Sequence, residues 1–337
     1  MTKPRSQLID LDSTSYYHCI SRCVRRAFLW GEDHLTGDNY THRKAWVVDR
    51  LSELNQIFAI DVCAYAIMSN HYHLVLRVNQ EAVETWSNKE VITRWNRLFS
   101  LPVLIQRYLK DETKTAEVVE VEKVINLWRN RLMDISWFMR SLNEYLARKA
   151  NKEDNCTGRF WEGRYKSQAL LDEAAVLTCM SYVDLNPIRA GIAELPESSD
   201  YTSIQQRIIE LQTLNDKDGN KNQPKEAISI PLLPLTPIED GHKHNLNFTL
   251  SDYIELVDWL GRVAREGKRG SITQTAPPVL TRLCIDSEQF VDAVSKQRTK
   301  FSMPIAIGNM ASIKKYAENT GRNFIRFARE VTPVCIG

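Results

Sequence analysis

Two short β-rich runs on either side of the dipeptide Ser69-Asn70 constrain the fold more than any other feature of the sequence. The first run is IDVCAYAIM (residues 60–68) and the second is HYHLVLRV (residues 71–78). A two-residue polar break between runs of β-branched and aromatic residues is typical of a β-hairpin. We therefore predict two neighbouring antiparallel strands, the second of which lies mostly in the core.

The segments before the hairpin predict the order strand, helix, strand, strand. TSYYHCISRC (residues 14–23) alternates aromatic and β-branched residues and predicts the first strand. Residues 38–58 have the periodicity of a helix. The apolar stripe of that helix consists of Ala45, Val48, Leu51, Leu54 and Ile57. This order favours an α+β fold.

Further elements follow in the next hundred residues. Residues 81–133 are predicted to be mostly helical. A helix from Ile135 to Ala150 has Asp134 or Ser136 as its N-cap. GRFWEGRYKSQALL (158–171) predicts a turn that leads into a strand, and residues 172–185 predict a helix that the Asn186-Pro187 pair ends. Together with the hairpin, these elements define a predicted first domain over residues 1–200.

The last third of the chain has a different composition. Residues 201–247 are predicted to be a linker or mobile loop, because the stretch from residue 213 onwards is rich in Pro, Gly, Asn and Lys. Residues 248–337 are predicted to form a mainly helical region, which begins with an amphipathic helix capped by Thr249 and Asp252. Its basic end either extends a DNA-binding surface or is a solvated helix face.

Composition excludes several classes of protein. The 337 residues include 7 scattered cysteines without a C-x-x-C pair, which argues against a disulfide framework or a zinc knuckle. The sequence has no apolar run long enough for a membrane helix, and we see no signal peptide at its start. A cytoplasmic protein is the expectation. The formal net charge of +2 is small, so any case for nucleic-acid binding depends on local basic clusters.

His71 and His73 open the second strand of the hairpin. Residues i and i+2 of a strand lie on one face, about 7 Å apart, so the two imidazoles are side by side and Tyr72 points the other way. Two neutral imidazoles on a rigid strand suit a divalent ion. The alternative is a pair of histidines that only pack and hydrogen-bond. A zinc hydrolase of the H-x-H-x-D-H kind is excluded, since residues 74–77 (LVLR) supply no further ligand.

Four motifs occur in the order and spacing of one known family. They are YYHCISR (16–22), AYAIMSNHYHLVLRV (64–78), GRFWEGRYKSQALL (158–171) and YVDLNPIRAGI (182–192). Together they resemble the REP-associated tyrosine transposases, single-tyrosine members of the HUH (histidine, hydrophobic, histidine) nucleases. The resemblance covers roughly residues 12–195 and implies a ferredoxin-like antiparallel sheet with flanking helices. It also implies Mg²⁺ or Mn²⁺ on His71 and His73. Ser69 departs from the pattern, because relatives often have proline there.

The resemblance also implies a helix tyrosine that attacks a DNA phosphodiester and forms a 5′-phosphotyrosine. The helix matched to that role is ISWFMRSLNEYLARKAN (135–151), whose tyrosine is Tyr145. A helical wheel places Tyr145 at the edge of the apolar face, where its hydroxyl could reach a cleft. Arg148 and Lys149 share its side of the helix and would either favour the phenolate or contact the DNA backbone. The alternative is a boundary tyrosine that only packs.

The position of a third metal ligand departs from the family pattern. Relatives commonly have Gln or Asn one turn after the tyrosine, but Lys149 has that position here, and a charged amine cannot bind a metal. Asn151 is the nearest amide and is the candidate. His18, on the first strand, is expected either to support the metal ligands from behind or to be an ordinary core histidine.

Two basic clusters are candidates for DNA contact. One follows the first strand and includes Arg22 and Arg25. The other interleaves cations with aromatic rings, a pattern that suits single-stranded or hairpin DNA. Its candidate residues are Arg159, Trp161, Arg164 and Lys166. The alternative is a strand whose rings are core and whose charges are solvated.

The sequence thus predicts a metal-dependent tyrosine transposase or endonuclease that cleaves and rejoins single-stranded DNA at hairpin or palindromic repeats. The expected partner is single-stranded or hairpin DNA, the expected location is the nucleoid, and both a monomer and a homodimer are compatible. Two alternatives remain. One is a catalytically inactive hairpin-binding protein of the same fold, which Lys149 favours. The other is a metal-dependent phosphodiesterase that uses activated water.

Overall fold

The computed structural model of the protein describes residues 8–24, 37, 39–215, 229–235, 246, 248–266, 291, 294, 304–322 and 329–330. One mixed sheet has the strand order β2-β3-β1-β4-β5-β6. Its strands are β1 (Tyr16–Arg22), β2 (Ile60–Ile67), β3 (His71–Val78), β4 (Lys166–Leu170), β5 (Ala306–Gly308) and β6 (Arg329–Glu330). β2, β3, β1 and β4 pair in antiparallel fashion, and β5 and β6 add to β4 in parallel.

The sheet is flanked by helices. In chain order they are α1 (Arg43–Ile57), α2 (Gln80–Thr85), α3 (Asn88–Asn96), α4 (Val103–Leu109), α5 (Thr115–Arg131), α6 (Ile135–Glu153), α7 (Glu173–Asp184), α8 (Asn186–Arg189), α9 (Ser203–Asn215), α10 (Leu250–Glu266) and α11 (Met310–Asn319). The prediction of a sheet with flanking helices is therefore confirmed, with the hairpin β2–β3 at the predicted place, but β5 and β6 make the sheet mixed where the sequence predicted an antiparallel one.

Strand parity divides the sheet into two faces. On β3, Tyr72 packs into the core that contains α1 and α6. Val75 packs into a second core, which contains α7 and α10. Successive side chains of a strand point to opposite faces, so His71 and His73 share the side of Val75. We call these two sides the α6 face and the α7 face.

Helix α6 begins as the sequence predicts. Of the two candidate caps, Asp134 is the one used, because its carboxylate accepts a hydrogen bond from the backbone N–H of Ser136. At its other end, the buried Arg43 of α1 pairs with Glu153 and Asp154. A buried guanidinium needs such partners, so this contact ties the start of α1 to the end of α6.

Helix α7 is anchored by a buried carboxylate. Asp184 accepts hydrogen bonds from the hydroxyls of Ser203 and Tyr253 and from the backbone N–H of Ile204. Burial raises the pKa of Asp184 to about 6, and these three donors oppose that rise. The end of α7 is thereby fastened to α9 and α10.

The C-terminal part differs from the sequence prediction in two respects. Residues 203–215, predicted as the start of a linker, form helix α9, which contacts β2. The region beyond residue 248 does contain helices, and the Thr249–Asp252 capping pair forms as predicted. It also contributes β5 and β6 to the sheet, so it is less purely helical than its composition suggested. Short apolar runs such as 305–308 have no periodicity that separates strand from helix.

Two further predictions concern the basic end and the membrane. Lys314 and Lys315 are exposed on α11. Among the described residues, no helix has the length and apolar character needed to cross a bilayer.

Candidate active site

A cluster of three histidines lies on the α7 face, at the centre of the antiparallel strands. His18 of β1 and His73 of β3 are buried, and their rings stack with centroids 5.2 Å apart. The His71 ring lies 5.0 Å from that of His73. The structure thus brings together His18, His71 and His73 as predicted. Tyr72 points to the other face, where its hydroxyl donates to Asn143 Oδ1 at 2.6 Å.

A chain of hydrogen bonds fixes the tautomer of His73. The Gln168 amide nitrogen donates to the carbonyl oxygen of Pro304, which turns Gln168 Oε1 toward His18 Nδ1 at 3.4 Å. His18 Nδ1 must therefore carry a proton, and its Nε2 is an acceptor. His18 Nε2 lies 2.9 Å from His73 Nδ1, so His73 donates from Nδ1. The Nε2 atom of His73 is left with its lone pair.

His71 is oriented in the same way by another group. Its Nδ1 lies 2.6 Å from Asn70 Oδ1, an acceptor, so the proton is on Nδ1. The Nε2 atoms of both His71 and His73 are buried and have no hydrogen-bond partner. Ligating histidines characteristically donate their other ring nitrogen to a fixed acceptor. Two oriented, unpartnered lone pairs fit a divalent cation.

Burial keeps these imidazoles neutral. It lowers the pKa of His18 to about 4, and the Gln168 hydrogen bond opposes that shift. Burial and the charge of Arg22 lower the pKa of His71 to about 4. The pKa of His73 is also well below its ordinary value, because of burial and of the neighbouring histidines and Arg22. A metal binds the neutral form of imidazole, so the cluster has the correct protonation state at neutral pH.

Tyr182 of α7 lies against this cluster. Its ring is edge-on to those of His73 and His18, with centroids 5.6 Å and 6.2 Å away. Burial raises the pKa of the Tyr182 phenol, whereas a hydrogen bond from Asn186 and the charge of Arg189 oppose the rise. The Arg189 guanidinium lies 5.2 Å from the centre of the ring. Sequence reasoning assigned no role to Tyr182, although it belongs to the YVDLNPIRAGI motif.

Exposed cations surround the cluster. Arg22 is the cross-strand partner of His71, and Lys166 and His73 both pair with Ile20. Cross-strand partners point to the same face, so Arg22 and Lys166 stand beside the imidazoles. Both are exposed, as is Arg189 at the end of α8. The arrangement is a pair of buried, neutral imidazoles and a phenol, with exposed cations beside them.

The structure does not bring Tyr145 to the histidines. Tyr145 is on α6 and packs in the core that contains Tyr72, on the opposite face of the sheet. Its hydroxyl accepts a hydrogen bond from Lys149 at 3.4 Å. The predicted position of Tyr145 beside the metal ligands is therefore corrected. Tyr145 packs on the side of Tyr72, and successive side chains of β3 alternate, so His71 and His73 point to the other side of the sheet.

The other residues predicted around Tyr145 share its location. Arg148 is exposed and pairs with Glu144. Asn151 donates to the carbonyl oxygen of Gly158 at 3.0 Å and holds the loop after α6. Its side chain is therefore engaged in loop structure on the α6 side, not at His71 and His73.

The aromatic residues of the GRFWEGRYKS segment are mostly structural. Phe160 and Tyr165 are buried. The half-buried Trp161 packs edge-on against Tyr72 and donates from Nε1 to the Asn143 carbonyl oxygen. These rings are therefore poorly placed to stack on bases. Arg159 and Arg164 are exposed, as a backbone contact would require, and Arg25 lies outside the described residues.

Within the described part of the chain, no group of three or more His, Cys, Asp or Glu side chains is arranged to hold a metal. His18 is the third imidazole, but its Nε2 is engaged by His73. A cation here would have two imidazole ligands and open positions for other oxygen atoms. Such an open site is typical of catalytic metals.

Comparisons with known proteins add one finding. No protein-family model and no curated protein matches the chain. Among solved structures, one match is a REP-associated tyrosine transposase bound to a REP hairpin. It is 12% identical, covers 62% of this chain and 86% of that chain, and has a TM-score of 0.37. This level of overlap does not establish the family.

Proposed function

We propose that the protein cleaves and rejoins single-stranded DNA at hairpin or palindromic repeats, with Tyr182 as the nucleophile. The observation that carries the proposal is the contact of the Tyr182 ring with two histidines, one of which has an unpartnered, buried Nε2. The Nε2 atoms of His71 and His73 are buried acceptors without a hydrogen-bond partner. Such atoms are unfavourable for stability, so a bound ligand is the better explanation for them.

In this proposal the Tyr182 oxygen attacks a phosphorus atom of the DNA backbone. A bond forms between the phenol oxygen and the 5′-phosphate, and the bond to the 3′-oxygen breaks. The phenol loses its proton, and the departing oxygen takes up a proton to become a free 3′-hydroxyl. Rejoining is the reverse reaction, in which a 3′-hydroxyl attacks the phosphotyrosine.

Side chains near Tyr182 would assist both the phenol and the DNA phosphates. A free phenol has a pKa near 10 and is a weak nucleophile at neutral pH. The hydrogen bond from Asn186 and the Arg189 charge both favour the phenolate of Tyr182. Arg22 and Lys166 would hold the phosphates on either side of the scissile bond.

His71 and His73 would hold a divalent cation, Mg²⁺ or Mn²⁺, through their Nε2 atoms. When bound, such a cation polarises a phosphate oxygen and orients the reacting groups. Mn²⁺ is the better match to two imidazoles, since Mg²⁺ prefers oxygen ligands. Asn186, which contacts Tyr182, replaces Asn151 as the candidate for a further ligand.

The fold class implied by the resemblance is also supported. The order β2-β3-β1-β4, with helices between β1 and β2 and between β3 and β4, supports a ferredoxin-like class for the antiparallel strands.

The assignment to Tyr182 affects the alternative of an inactive binding protein. That alternative rested on Lys149 as a defective metal ligand. Lys149 lies on the α6 face, so it has no bearing on a metal at His71 and His73.

The test is a comparison of two phenylalanine variants. End-labelled hairpin DNA with a single-stranded extension is incubated with Mn²⁺ or Mg²⁺, and the protein is run on a denaturing gel. We expect the wild type and Tyr145→Phe to retain the label and Tyr182→Phe to lose it, because only Tyr182 faces the histidines. Loss of label from Tyr145→Phe alone would instead restore the assignment to α6. If no protein ever retains label in either metal, the proposal fails.

A further inference from the structure

The α6 face contains a cleft that the proposed reaction does not use. Its volume is about 600 Å³. The walls come from α1, from α6 and from the chain just after α3. Five of its lining side chains are cationic and one is acidic: Arg50, Arg140, Arg148, Lys149, Lys152 and Glu144. A concave surface with this excess of positive charge is suited to an anionic ligand.

Three of the cations form a row along α6. Arg140, Arg148 and Lys152 are spaced by multiples of four residues, with Glu144 in the remaining position. Each step of four residues rises about 6 Å and turns by about 40°, so the row winds gradually around the helix while it rises about 18 Å along the axis. That length exceeds a single phosphate group and fits a linear array of phosphates.

Glu144 neutralises only part of this charge. It pairs with both Arg140 and Arg148, whose side chains are 61% and 79% exposed. Exposed ion pairs contribute little energy and exchange easily with other anions. One carboxylate shared by two guanidiniums therefore leaves the row able to accept phosphates.

The remaining cations are held in place by aromatic rings. The Arg50 guanidinium lies 4.7 Å from the centre of the Tyr145 ring and also bonds to Glu53. Lys149 Nζ lies 4.4 Å from the Trp46 ring and donates to the Tyr145 hydroxyl. Cation–π contacts of this kind fix the positions of the charges.

The same contacts restrict what the cleft can recognise. The Tyr145 ring already has a guanidinium over it and an ammonium beside it, so it is a poor platform for an unpaired base. Recognition would then depend on backbone phosphates and not on base stacking. Contacts of that type position a duplex without reading its sequence.

We propose that this cleft is a second DNA site, which binds the phosphate backbone of the paired hairpin stem. The inference rests on the proposed function, from which it takes DNA as the partner. The imidazole cluster would act on the single-stranded segment at one face of the sheet, and the cationic row of α6 would hold the stem at the other.

The test compares two triple variants that remove equal charge. The first changes the row itself: Arg140→Gln, Arg148→Gln and Lys152→Gln. The control changes three exposed lysines of α3–α5 and their connections: Lys89→Gln, Lys110→Gln and Lys123→Gln. Binding is measured by fluorescence anisotropy on a labelled hairpin with a single-stranded extension and on the same extension without the stem. Circular dichroism checks that each variant is folded.

The row variant is expected to need at least tenfold more hairpin for half-saturation, whereas the control changes less than about threefold. The slope of log affinity against log salt should fall by about 2 to 3, since roughly 0.9 is lost for each released phosphate contact. Binding of the stemless extension should change less than binding of the hairpin.

Other outcomes overturn the inference. Equal hairpin binding by both triple variants, or equal losses on hairpin and stemless DNA, would exclude a stem site. Retention on vesicles containing phosphatidylserine that only the row variant loses, with hairpin binding unchanged, would assign the cleft to a membrane surface. Label transfer to Tyr182, scored on the same hairpin, tests the proposed function separately: it can succeed while the stem site fails.

Discussion

The two faces of the sheet differ in the kind of side chain that they present, although both include residues of β3. On the α7 face, β3 presents His71 and His73, whose imidazoles are kept neutral by burial and oriented by Asn70, His18 and Gln168. On the α6 face, the same strand presents Tyr72, and the functional charges lie outward on α6. Neutral imidazoles present lone pairs that a metal ion can bind, whereas the exposed cations attract anionic ligands. Burial therefore separates a site suited to chemistry from a site suited to binding.

The largest expected difference between the faces is their response to acid. In the unfolded chain a histidine has a pKa of about 6.5, whereas burial lowers the pKa of folded His18 and His71 to about 4. The folded state thus binds fewer protons, and stability is lost as pH falls from about 6.5 toward 4. Each group contributes on the order of 3 kcal/mol to that loss. Asp184 opposes the loss by about as much as one histidine contributes, on the order of 3 kcal/mol, because its pKa is raised to about 6 and its protonated form favours the folded state.

Urea unfolding of the metal-free protein between pH 7.5 and 4.5 checks this expectation. The free energy of unfolding should fall steeply below pH 6.5, and His18→Gln should flatten the profile. A flat profile for the wild type would mean that the imidazoles are hydrated, and the contrast between the faces would then disappear.

On the α6 face, the largest stability effect is expected from Arg43. Its guanidinium is fully buried and pairs with Glu153 and Asp154. Arg43→Met removes the charge and keeps most of the volume, but it takes the guanidinium away from Glu153 and Asp154, although Glu153 keeps its contact with His42. We expect a loss of about 3 kcal/mol in the free energy of unfolding. Arg148→Met, at an exposed pair, is the matched control and should change it by less than about 0.5 kcal/mol.

The third prediction contrasts adjacent residues of β3. His73→Ala removes a proposed ligand and should raise the Mn²⁺ concentration for half-maximal label transfer by more than about 100-fold. Tyr72→Phe alters the opposite face and removes the hydrogen bond to Asn143. It should cost about 1 kcal/mol of stability and leave the metal dependence in place. Metal titration of label transfer, with urea unfolding in parallel, distinguishes the two. Equal metal dependence in both variants would exclude His73 as a ligand.

The smallest expected effects concern the caps of the two helices. Asp134→Ala removes the N-cap of α6 and should cost about 1 kcal/mol. Asp172 caps α7 and also accepts hydrogen bonds from the backbone and side chain of Asn309. Asp172→Ala should therefore cost more, about 2 kcal/mol. Thermal unfolding of both variants tests whether the C-terminal region stabilises the α7 face as this predicts.

The sequence predicts which side chains of β3 share a face of the sheet, because side chains alternate along a strand. Alternation along β3 separates His71 and His73 from Tyr72, and the structure has that parity. Helix α6 has a clear apolar stripe, which made Tyr145 stand out as a boundary residue. Helix α7 has no such stripe, since every residue from Ala174 to Asp184 is buried. No helical wheel indicates which side of α7 faces the imidazoles, so Tyr182 could be assigned only from the packed structure.

The remainder of the fold depends on contacts between distant segments. Leu232 and β5 join the sheet through a few residues whose sequence has no strand signal. Their positions follow from the partner strands that are already present. Asp184 likewise appears as an ordinary helix residue in the sequence. Its role depends on Ser203 and Tyr253, 19 and 69 residues away.

The parallel pairing of β5 with β4 bears on how the chain can be divided. The backbone N–H groups of Ala169 and Leu171 donate to the carbonyl oxygens of Ile305 and Ile307, so β4 is an interior strand. A fragment that ends near residue 200 would expose those donors as an open sheet edge beside an uncovered apolar surface. Such edges promote aggregation. A shortened version of this protein should therefore keep β5 and not end after α8.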